Sequence, residues 1–268
     1  MIGTRGLRTG RTIAAAAVYV FLVLPMMVVV LFSFSDKSYF TFPPTGFSLR
    51  WYEAAWSSAR FVEPALRSLV LATLATAIAA AVSVPAALAL RRMASGRLRM
   101  LLEFVFLSPL IVPALIVGIA LLYSFNRFGL IDTFGALLAG HVLIVFPFVF
   151  RAVLTSVMGL RQMLIDASEI LGAGPLHTFR RVVLPALVPG LASGAIFAFI
   201  VSLDQFTVSL FVTQSAQIVL PVAIYQYLFD VNDPVVAAVS TVLVVFGLLV
   251  AIVIDRFGWL RHLGGTGG

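Results

Sequence analysis

The chain has 268 residues, of which 61% are hydrophobic and 11% charged, and its formal net charge is +7 at pH 7. Soluble domains are about half apolar and about a quarter charged, so this composition excludes an ordinary soluble protein and predicts a membrane protein. The absence of cysteine excludes disulfides, thiolate metal sites and a cysteine nucleophile. The only lysine, Lys37, follows Asp36, so the sequence has no phosphate-binding loop of the Gly-Lys-Ser/Thr type.

Six apolar stretches are long enough to cross a hydrocarbon core of about 30 Å. In chain order they cover residues 13–34, 68–90, 103–125, 136–154, 186–212 and 234–254. The first is too long for the apolar part of a cleaved signal peptide, so we expect it to remain as a span. Pro109 and Pro113 interrupt the third. The sequence therefore predicts an all-α membrane protein, with one domain over residues 1–268 and six transmembrane helices.

The segment 35–66, between the first two predicted spans, is polar and rich in turn residues. Within it Trp51, Tyr52 and Trp56 lie close together on a short predicted helix. Trp and Tyr concentrate at membrane–water interfaces, which favours a helix lying on the outer membrane surface. A loop packed on neighbouring spans explains the pattern equally well, and both interpretations stay open.

The charges of the loops predict the orientation of the chain. With the N-terminus inside, thirteen of the 18 basic residues fall in cytoplasmic segments and five in outer segments, as the positive-inside rule requires. The prediction is therefore N-in and C-in, with the loop between spans four and five in the cytoplasm. This topology accounts for the basic charge, so no nucleic-acid partner is expected.

The loop 155–185 is the longest polar-rich interval in this part of the chain. Residues 166–171 are predicted to be helical, and the glycines in 172–174 end that helix, since glycine adopts positive φ without steric cost. A second short helix is expected over 177–183, closed by Leu184-Pro185. The predicted unit is thus two short helices joined by a tight turn.

The loop carries a spaced motif made of Asp166-Ala167-Ser168, Gly172-Ala173, Phe179, Val182 and Leu184-Pro185. This motif resembles the conserved cytoplasmic loop, often called the EAA loop, of the permease subunits of bacterial ABC importers. Asp166 stands for the usual glutamate and Ser168 for the usual alanine, which keeps the charge and the small size. The resemblance extends over nearly the whole chain.

The resemblance implies a non-catalytic permease subunit in the bacterial inner membrane. It implies that the loop couples to an ATPase through Asp166, Ala167, Glu169, Gly172, Ala173, Phe179 and Pro185. The implied partners are a second homologous permease, two ATP-binding cassette subunits, an extracytoplasmic solute-binding protein, membrane lipid and a small solute. This chain itself is expected to hold no cofactor and no metal, because ATP and magnesium bind to the partner subunits.

Asp204 is the acid that lies deep in a predicted span, where a carboxylate is costly unless it faces protein or water. The segment 202–206 is similar to the polyamine-type branch of the family, in which an acidic pair often occupies the positions of Asp204 and Gln205. We expect Asp204, Gln205 and Ser202 to line a pathway for a small cationic solute such as spermidine or putrescine. A hydrogen bond that only holds helices together is an equal alternative for Asp204.

His141 lies in the fourth predicted span. It is included among the candidate pathway residues, although a lone membrane histidine more often joins helices by hydrogen bonds. Two other functions stay open for the whole chain. One is a secondary transporter driven by an ion gradient, and the other is an ABC permease for another small solute, such as an amino-acid-like compound or a phosphonate.

Overall fold

The computed structural model describes residues 4–43, 46–94, 96–231 and 233–263, with side chains described over 11–43, 46–94, 96–231, 233–250 and at 252. Nearly all of these residues are helical. The described part contains one isolated antiparallel bridge, between Ser35 and Phe47, and no extended strand. The predicted all-α fold class is therefore confirmed.

The helices follow one another with short connections. Their bounds are α1 Thr4–Ser33, α2 Arg50–Ser57, α3 Ala59–Arg92, α4 Arg97–Ile111, α5 Ala114–Arg127, α6 Phe134–Gly159, α7 Gln162–Ile170, α8 Pro175–Thr178, α9 Leu184–Leu203, α10 Phe206–Val212, α11 Leu220–Asp230 and α12 Val235–Leu263. A π-helical turn, Phe179–Val183, connects α8 to α9.

Four helical segments in the described part are long and apolar enough to cross a membrane. They are Arg11–Ser33, Ala59–Arg92, Phe134–Gly159 and Pro175–Leu203, and a bent pair, α4 with α5, gives a fifth if it counts as one span. Helix α12 is apolar over Val235–Val250, and part of the predicted sixth span lies outside the described side chains. The count of six and the N-in, C-in orientation therefore stay predictions.

The predicted third span is not one straight helix. Helices α4 and α5 meet at an angle of 101°, with Val112 in an extended conformation at φ −76° and ψ 128°. Pro113 explains the geometry, because its ring disfavours a helical conformation in the residue before it. The prolines were recognised as an interruption, but the size of the bend was not predicted.

The predicted fifth span is also broken. Helix α9 ends at Leu203, and α10 begins at Phe206 after Gln205, whose ψ is 88°. Short polar side chains at this point, from Ser202 to Ser209, compete with the backbone for hydrogen bonds and therefore favour a helix end. The prediction of a continuous helix over 186–212 is thus wrong at Asp204 and Gln205.

The chain divides into two compact units, and the first combines residues up to Val62 with Ile224–Arg256. In this unit Trp51 is buried and donates its indole N–H to the Ser35 carbonyl at 2.8 Å, while Trp56 is exposed. Helix α2 thus packs through Trp51 against the segment that contains Ser35, and its Trp56 lies on the surface of the chain. Arg60 pairs with Asp230 and stacks over the Tyr227 ring at 4.8 Å.

The second unit contains Glu63–Ala223, and its core is formed largely by α6 and α9. Gly190 and Gly194 of α9 lie directly against the backbone of α6, since a Cβ on either would come within about 3 Å of Ala152 or Val149. Such small residues allow helices to approach closely in a membrane. This contact holds α9, which carries the loop motif at one end and Asp204 at the other.

Candidate functional site

The turn between α7 and α8 has the hydrogen bonds of a Schellman motif. The Gly172 N–H donates to the Glu169 carbonyl at 2.9 Å, and the Ala173 N–H donates to the Ser168 carbonyl at 3.1 Å. Gly172 has φ +81°, a conformation that costs a residue with a Cβ about 1–2 kcal/mol. The glycine turn is therefore set by local geometry, as the sequence predicted.

The second part of the loop differs from the prediction. Leu184-Pro185 does not close a short helix, because α8, the π-helical turn and α9 form one continuous segment of 29 residues, Pro175–Leu203. The Leu184 N–H donates five residues back, to the Phe179 carbonyl. Pro185 lacks an N–H, and a wider turn just before it accommodates the missing bond.

Ser168 joins the two arms of the turn. Its hydroxyl lies 2.9 Å from the hydroxyl of Thr178, which is buried. The alanine that the family motif usually has at this position could not make this bond. The departure from the motif therefore adds a side-chain link between α7 and α8.

Asp166 belongs to a chain of hydrogen bonds that leads to α3. Its Oδ1 accepts from Gln162 Nε2 at 2.9 Å, and Gln162 Oε1 accepts from Arg91 at 3.0 Å. Arg91 also donates to the Leu160 carbonyl, at the end of α6, at 3.0 Å. Arg91 and Gln162 were not predicted, because they lie outside the spaced motif; only the proximity of Gln162 and Asp166, four residues apart on a helix, could have indicated part of the chain.

The surface of the turn is apolar. Ile170, Leu171 and Leu176 are 86%, 87% and 62% exposed, and an open groove of about 620 Å³ runs beside them between α7 and the start of the long helix. Phe179 is different, since it is half-buried and packs against the core of the second unit. It anchors the loop rather than contributing to the exposed surface.

The remaining predicted loop residues lie around this surface. Ala167 and Ala173 line the groove, Glu169 borders a second groove beside Arg91 and Phe179, and Pro185 is exposed on α9. The structure thus brings the predicted residues of α7 and the turn together. Pro185 lies apart from them, at the start of α9.

Asp204 and Gln205 form the connection between α9 and α10. Asp204 is exposed and caps the end of α9, with its N–H donating to the Ile200 carbonyl at 3.1 Å. The Nε2 atom of Gln205 is buried and has no hydrogen-bond partner within the described residues. The exposed carboxylate of Asp204 therefore lies next in sequence to an amide, that of Gln205, whose N–H groups are free to donate to another molecule.

His141 is 1% exposed, and its two ring nitrogens contact serines on both sides of this connection. Nδ1 lies 2.8 Å from the Ser202 hydroxyl of α9, and Nε2 lies 2.9 Å from the Ser209 hydroxyl of α10. Ser209 already donates its proton to the Gln205 carbonyl at 2.6 Å. In a neutral ring Nε2–H is therefore the donor to Ser209, and Ser202 donates to Nδ1.

The loop after α10 is held by Asp132, which lies between α5 and α6. Its carboxylate accepts from the backbone N–H groups of Gln214, Ser215, Ala216 and Gln217 at 2.9–3.2 Å. Desolvation raises the pKa of this carboxyl, but the four backbone bonds outweigh it and lower the pKa from 3.8 to about 2. The anion is thus an integral part of the loop.

Curated relatives match along nearly the full chain. The spermidine/putrescine transport system permease protein PotC of Escherichia coli (strain K12) is 28% identical over 251 residues, 94% of each protein. PotC of Haemophilus influenzae is 28% identical over 88% of this chain and 91% of that protein. PhnV of Salmonella typhimurium, named for 2-aminoethylphosphonate transport, is 28% identical over 94% of this chain and 95% of that protein.

Solved structures share the fold. A bacterial ABC transporter involved in the import of the acidic polysaccharide alginate has a TM-score of 0.73 at 16% identity, covering 95% of this chain and 98% of that chain. The MetNI methionine ABC transporter has a TM-score of 0.59 at 21% identity, covering 74% and 94%. The family model "Binding-protein-dependent transport system inner membrane component" matches residues 79–258, more than half of the chain. The protein therefore belongs to this family and is a multi-pass inner-membrane permease subunit of an ABC importer.

Proposed function

We propose that this subunit forms the translocation pathway for a small amine and receives its driving force from ATPase subunits docked at the turn between α7 and α8. One observation carries the proposal. The continuous helical segment Pro175–Leu203 begins at the exposed apolar turn and ends at Asp204, a distance of about 43 Å at 1.5 Å per residue. A displacement of the turn would therefore also move Asp204, the carboxylate that we propose binds the solute.

The proposed partners are those of an ABC importer, and the exposed turn supports one of them, the ATPase. Ile170, Leu171 and Leu176 are apolar side chains that fit a groove on another protein, and in an ABC importer the ATP-binding subunits provide such a surface. A second permease would complete the pathway, and a periplasmic binding protein would deliver the solute. The permease itself then performs no chemistry, and ATP hydrolysis occurs in the partner. An ion-gradient transporter does not fit the family to which the chain belongs.

Replacing Gly172 tests the coupling role. Gly172→Ala adds a Cβ that meets no atom within 4 Å, so the main effect is the strain of positive φ, about 1–2 kcal/mol. We expect the ratio of solute uptake to ATP hydrolysis in proteoliposomes to fall about fivefold or more, the factor that 1 kcal/mol corresponds to.

Gly174→Ala is the matched control. Gly174 lies in the same turn and also has open space, but its φ is −70°, so we expect unchanged coupling. Normal coupling in Gly172→Ala, or an equal loss in both variants, would argue against the proposed role of the turn. Gly172→Asp, which adds bulk and charge, should uncouple more strongly.

The solute class rests on Asp204 and on the named relatives. A carboxylate at the end of α9 suits an ammonium group, which spermidine, putrescine and 2-aminoethylphosphonate all contain. The PotC relatives favour a polyamine. Because Gln205 stands where a second acid would be, Asp204 is the one carboxylate of this pair that can bind an ammonium group. The PhnV relative supports a second candidate, an aminophosphonate, for which the amide of Gln205 offers a donor to the anionic group.

Uptake measurements separate the two solutes. We expect Asp204→Asn to raise the KM for the transported amine about tenfold or more, because a hydrogen bond to a charged group contributes about 1.5–3 kcal/mol. If the solute is a polyamine, Gln205→Glu should improve spermidine uptake, because a second carboxylate attracts its ammonium groups. If the solute is an aminophosphonate, the same variant should impair 2-aminoethylphosphonate uptake, because the added charge repels the anionic group. Unchanged kinetics for both solutes in Asp204→Asn, with normal assembly, would leave Asp204 without a role in the pathway.

A further inference from the structure

The hydrogen bonds of His141 span the break between α9 and α10. Ser202 lies before the break and Ser209 after it, and the imidazole contacts both at 2.8 and 2.9 Å. We propose that His141 is a positioning residue, a clamp that fixes the two half-helices relative to each other and so sets the geometry of Asp204 and Gln205. Its importance for transport rests on the proposed pathway role of Asp204.

Helix α10 depends on tertiary contacts for its position. It has 7 residues, about two turns, and the two ends of a helix leave four N–H and four C=O groups without partners inside it. Two glycines provide space for it, since a Cβ on Gly118 would come within 2.7 Å of Phe211 and one on Gly140 within 3.0 Å of Val208. These packing contacts determine where α10 lies, but they do not connect it to α9.

The clamp supplies that connection with defined donors and acceptors. Ser209 donates to the Gln205 carbonyl inside the break and accepts from His141, while Ser202 donates to the ring from the last turn of α9. The side chains of His141, Ser202 and Ser209 are buried, and each makes at least one hydrogen bond within the clamp. Removing any one of the three leaves a buried polar group unpaired, which favours separation of α10 from α6.

Cysteine labelling of a buried reporter tests the clamp without any solute. The chain contains no native cysteine, so Val208→Cys introduces its single thiol, on α10 at a position that is 0% exposed. The assembled transporter in nanodiscs is treated with N-ethylmaleimide, and the modification of this chain is followed by mass spectrometry. Val153→Cys, equally buried but in α6, reports on loosening of the rest of the core.

We expect Ser209→Ala and Ser202→Ala each to increase the labelling rate at Val208→Cys about fivefold, the effect on local opening of losing a hydrogen bond of about 1 kcal/mol. The rate at Val153→Cys should not change. The control is Ser83→Ala in α3, where a serine of 0% exposure has an Oγ without a partner among the described residues. It should leave both rates unchanged.

The proposal is overturned if the clamp variants do not alter labelling at Val208→Cys, if Ser83→Ala has the same effect, or if both reporters respond equally. The test uses the two serine variants in place of His141→Ala, because removing the larger buried ring would also leave a cavity in the core. Failure of the pathway proposal looks different, because Asp204→Asn would then leave uptake of spermidine and of 2-aminoethylphosphonate unchanged while the labelling result stands.

Discussion

Asp132 shows how one side chain organises a loop. It has φ 59°, a conformation that Asp and Asn tolerate better than most residues, and this directs its carboxylate to four successive N–H groups, those of residues 214–217. At the other end of the same loop Arg67 donates to the Ile218 carbonyl at 2.7 Å, and Ser68 accepts from the Leu220 N–H at 2.9 Å. The connection after α10 is therefore held from both sides.

The order of this loop should depend on pH through Asp132. Its pKa in the folded chain, about 2, is lower than the ordinary value of 3.8, so its stabilising effect is fully present above about pH 4 and is lost as the pH falls through about 2. We expect the protection of amides 214–217 against hydrogen exchange, corrected for intrinsic rates, to decrease over this interval.

Asp132→Asn keeps the backbone conformation but removes the charge. In this variant the protection of amides 214–217 should be lower at neutral pH and nearly independent of pH between about 4 and 2, because the titrating group is gone. Amides in the middle of α6 serve as the internal reference. Equal pH dependence in the two proteins would show that another group controls the loop.

At the scale of helices, the contact between α6 and α9 is the most sensitive to volume. A Cβ on Gly190 would overlap the Ser156 hydroxyl and lie 2.5 Å from the Ala152 carbonyl oxygen. Backbone atoms cannot move aside as a flexible side chain can. The two helices must therefore separate if Gly190 becomes larger, and α9 is the helix that connects the turn to Asp204.

We expect Gly190→Ala to destabilise the protein by about 1–3 kcal/mol, as overpacking does, and to lower the thermal unfolding midpoint of the purified subunit in detergent. Gly247→Ala, in α12, is the control, because its Cβ would meet no atom within 4 Å and Ala is about 0.5–1 kcal/mol more favourable than Gly in a helix. It should be neutral or stabilising. Equal midpoints for the two variants would contradict the close approach of α6 and α9.

Across the whole subunit, side-chain hydrogen bonds connect the loop between α6 and α9 to a second helix, α3. Arg91 at the end of α3 contacts the Leu160 carbonyl and Gln162, and Gln162 contacts Asp166. If the loop has the coupling role proposed above, a movement of α7 would be passed to α3 and α6 as well as along α9. The proposed loop would then act on several spans together, as a transition between two arrangements of the pathway requires.

Arg91→Ala should reduce uptake relative to ATP hydrolysis by a fewfold, because it removes two hydrogen bonds of a charged donor while leaving the docking surface intact. Arg92→Ala removes the same charge from the exposed neighbouring position and should couple normally. The comparison requires both rates from the same reconstituted transporter. A similar loss in both variants would indicate a general effect of charge at the end of α3.

Much of the architecture could be predicted from the sequence because a bilayer leaves few alternatives. A long apolar stretch must satisfy its backbone internally, so α1, α3 and α6 were recognisable as helices. The turn at Gly172 was also predictable, since positive φ and the Schellman hydrogen bonds involve residues within a few positions of one another. The family itself was evident from the spaced motif of the loop.

The tertiary structure alone decided the features that depend on distant residues. An apolar run does not reveal that α9 stops at Leu203, because the serines on both sides of the break bond to His141, 61 and 68 positions away. The link from Arg91 to Gln162 joins residues 71 positions apart. The sequence by itself determined the helical class, the family and the turn, since these arise from local geometry and from the solvent. The bonds of His141 across the break and the links of Arg91 arise from packing between helices that are distant in sequence.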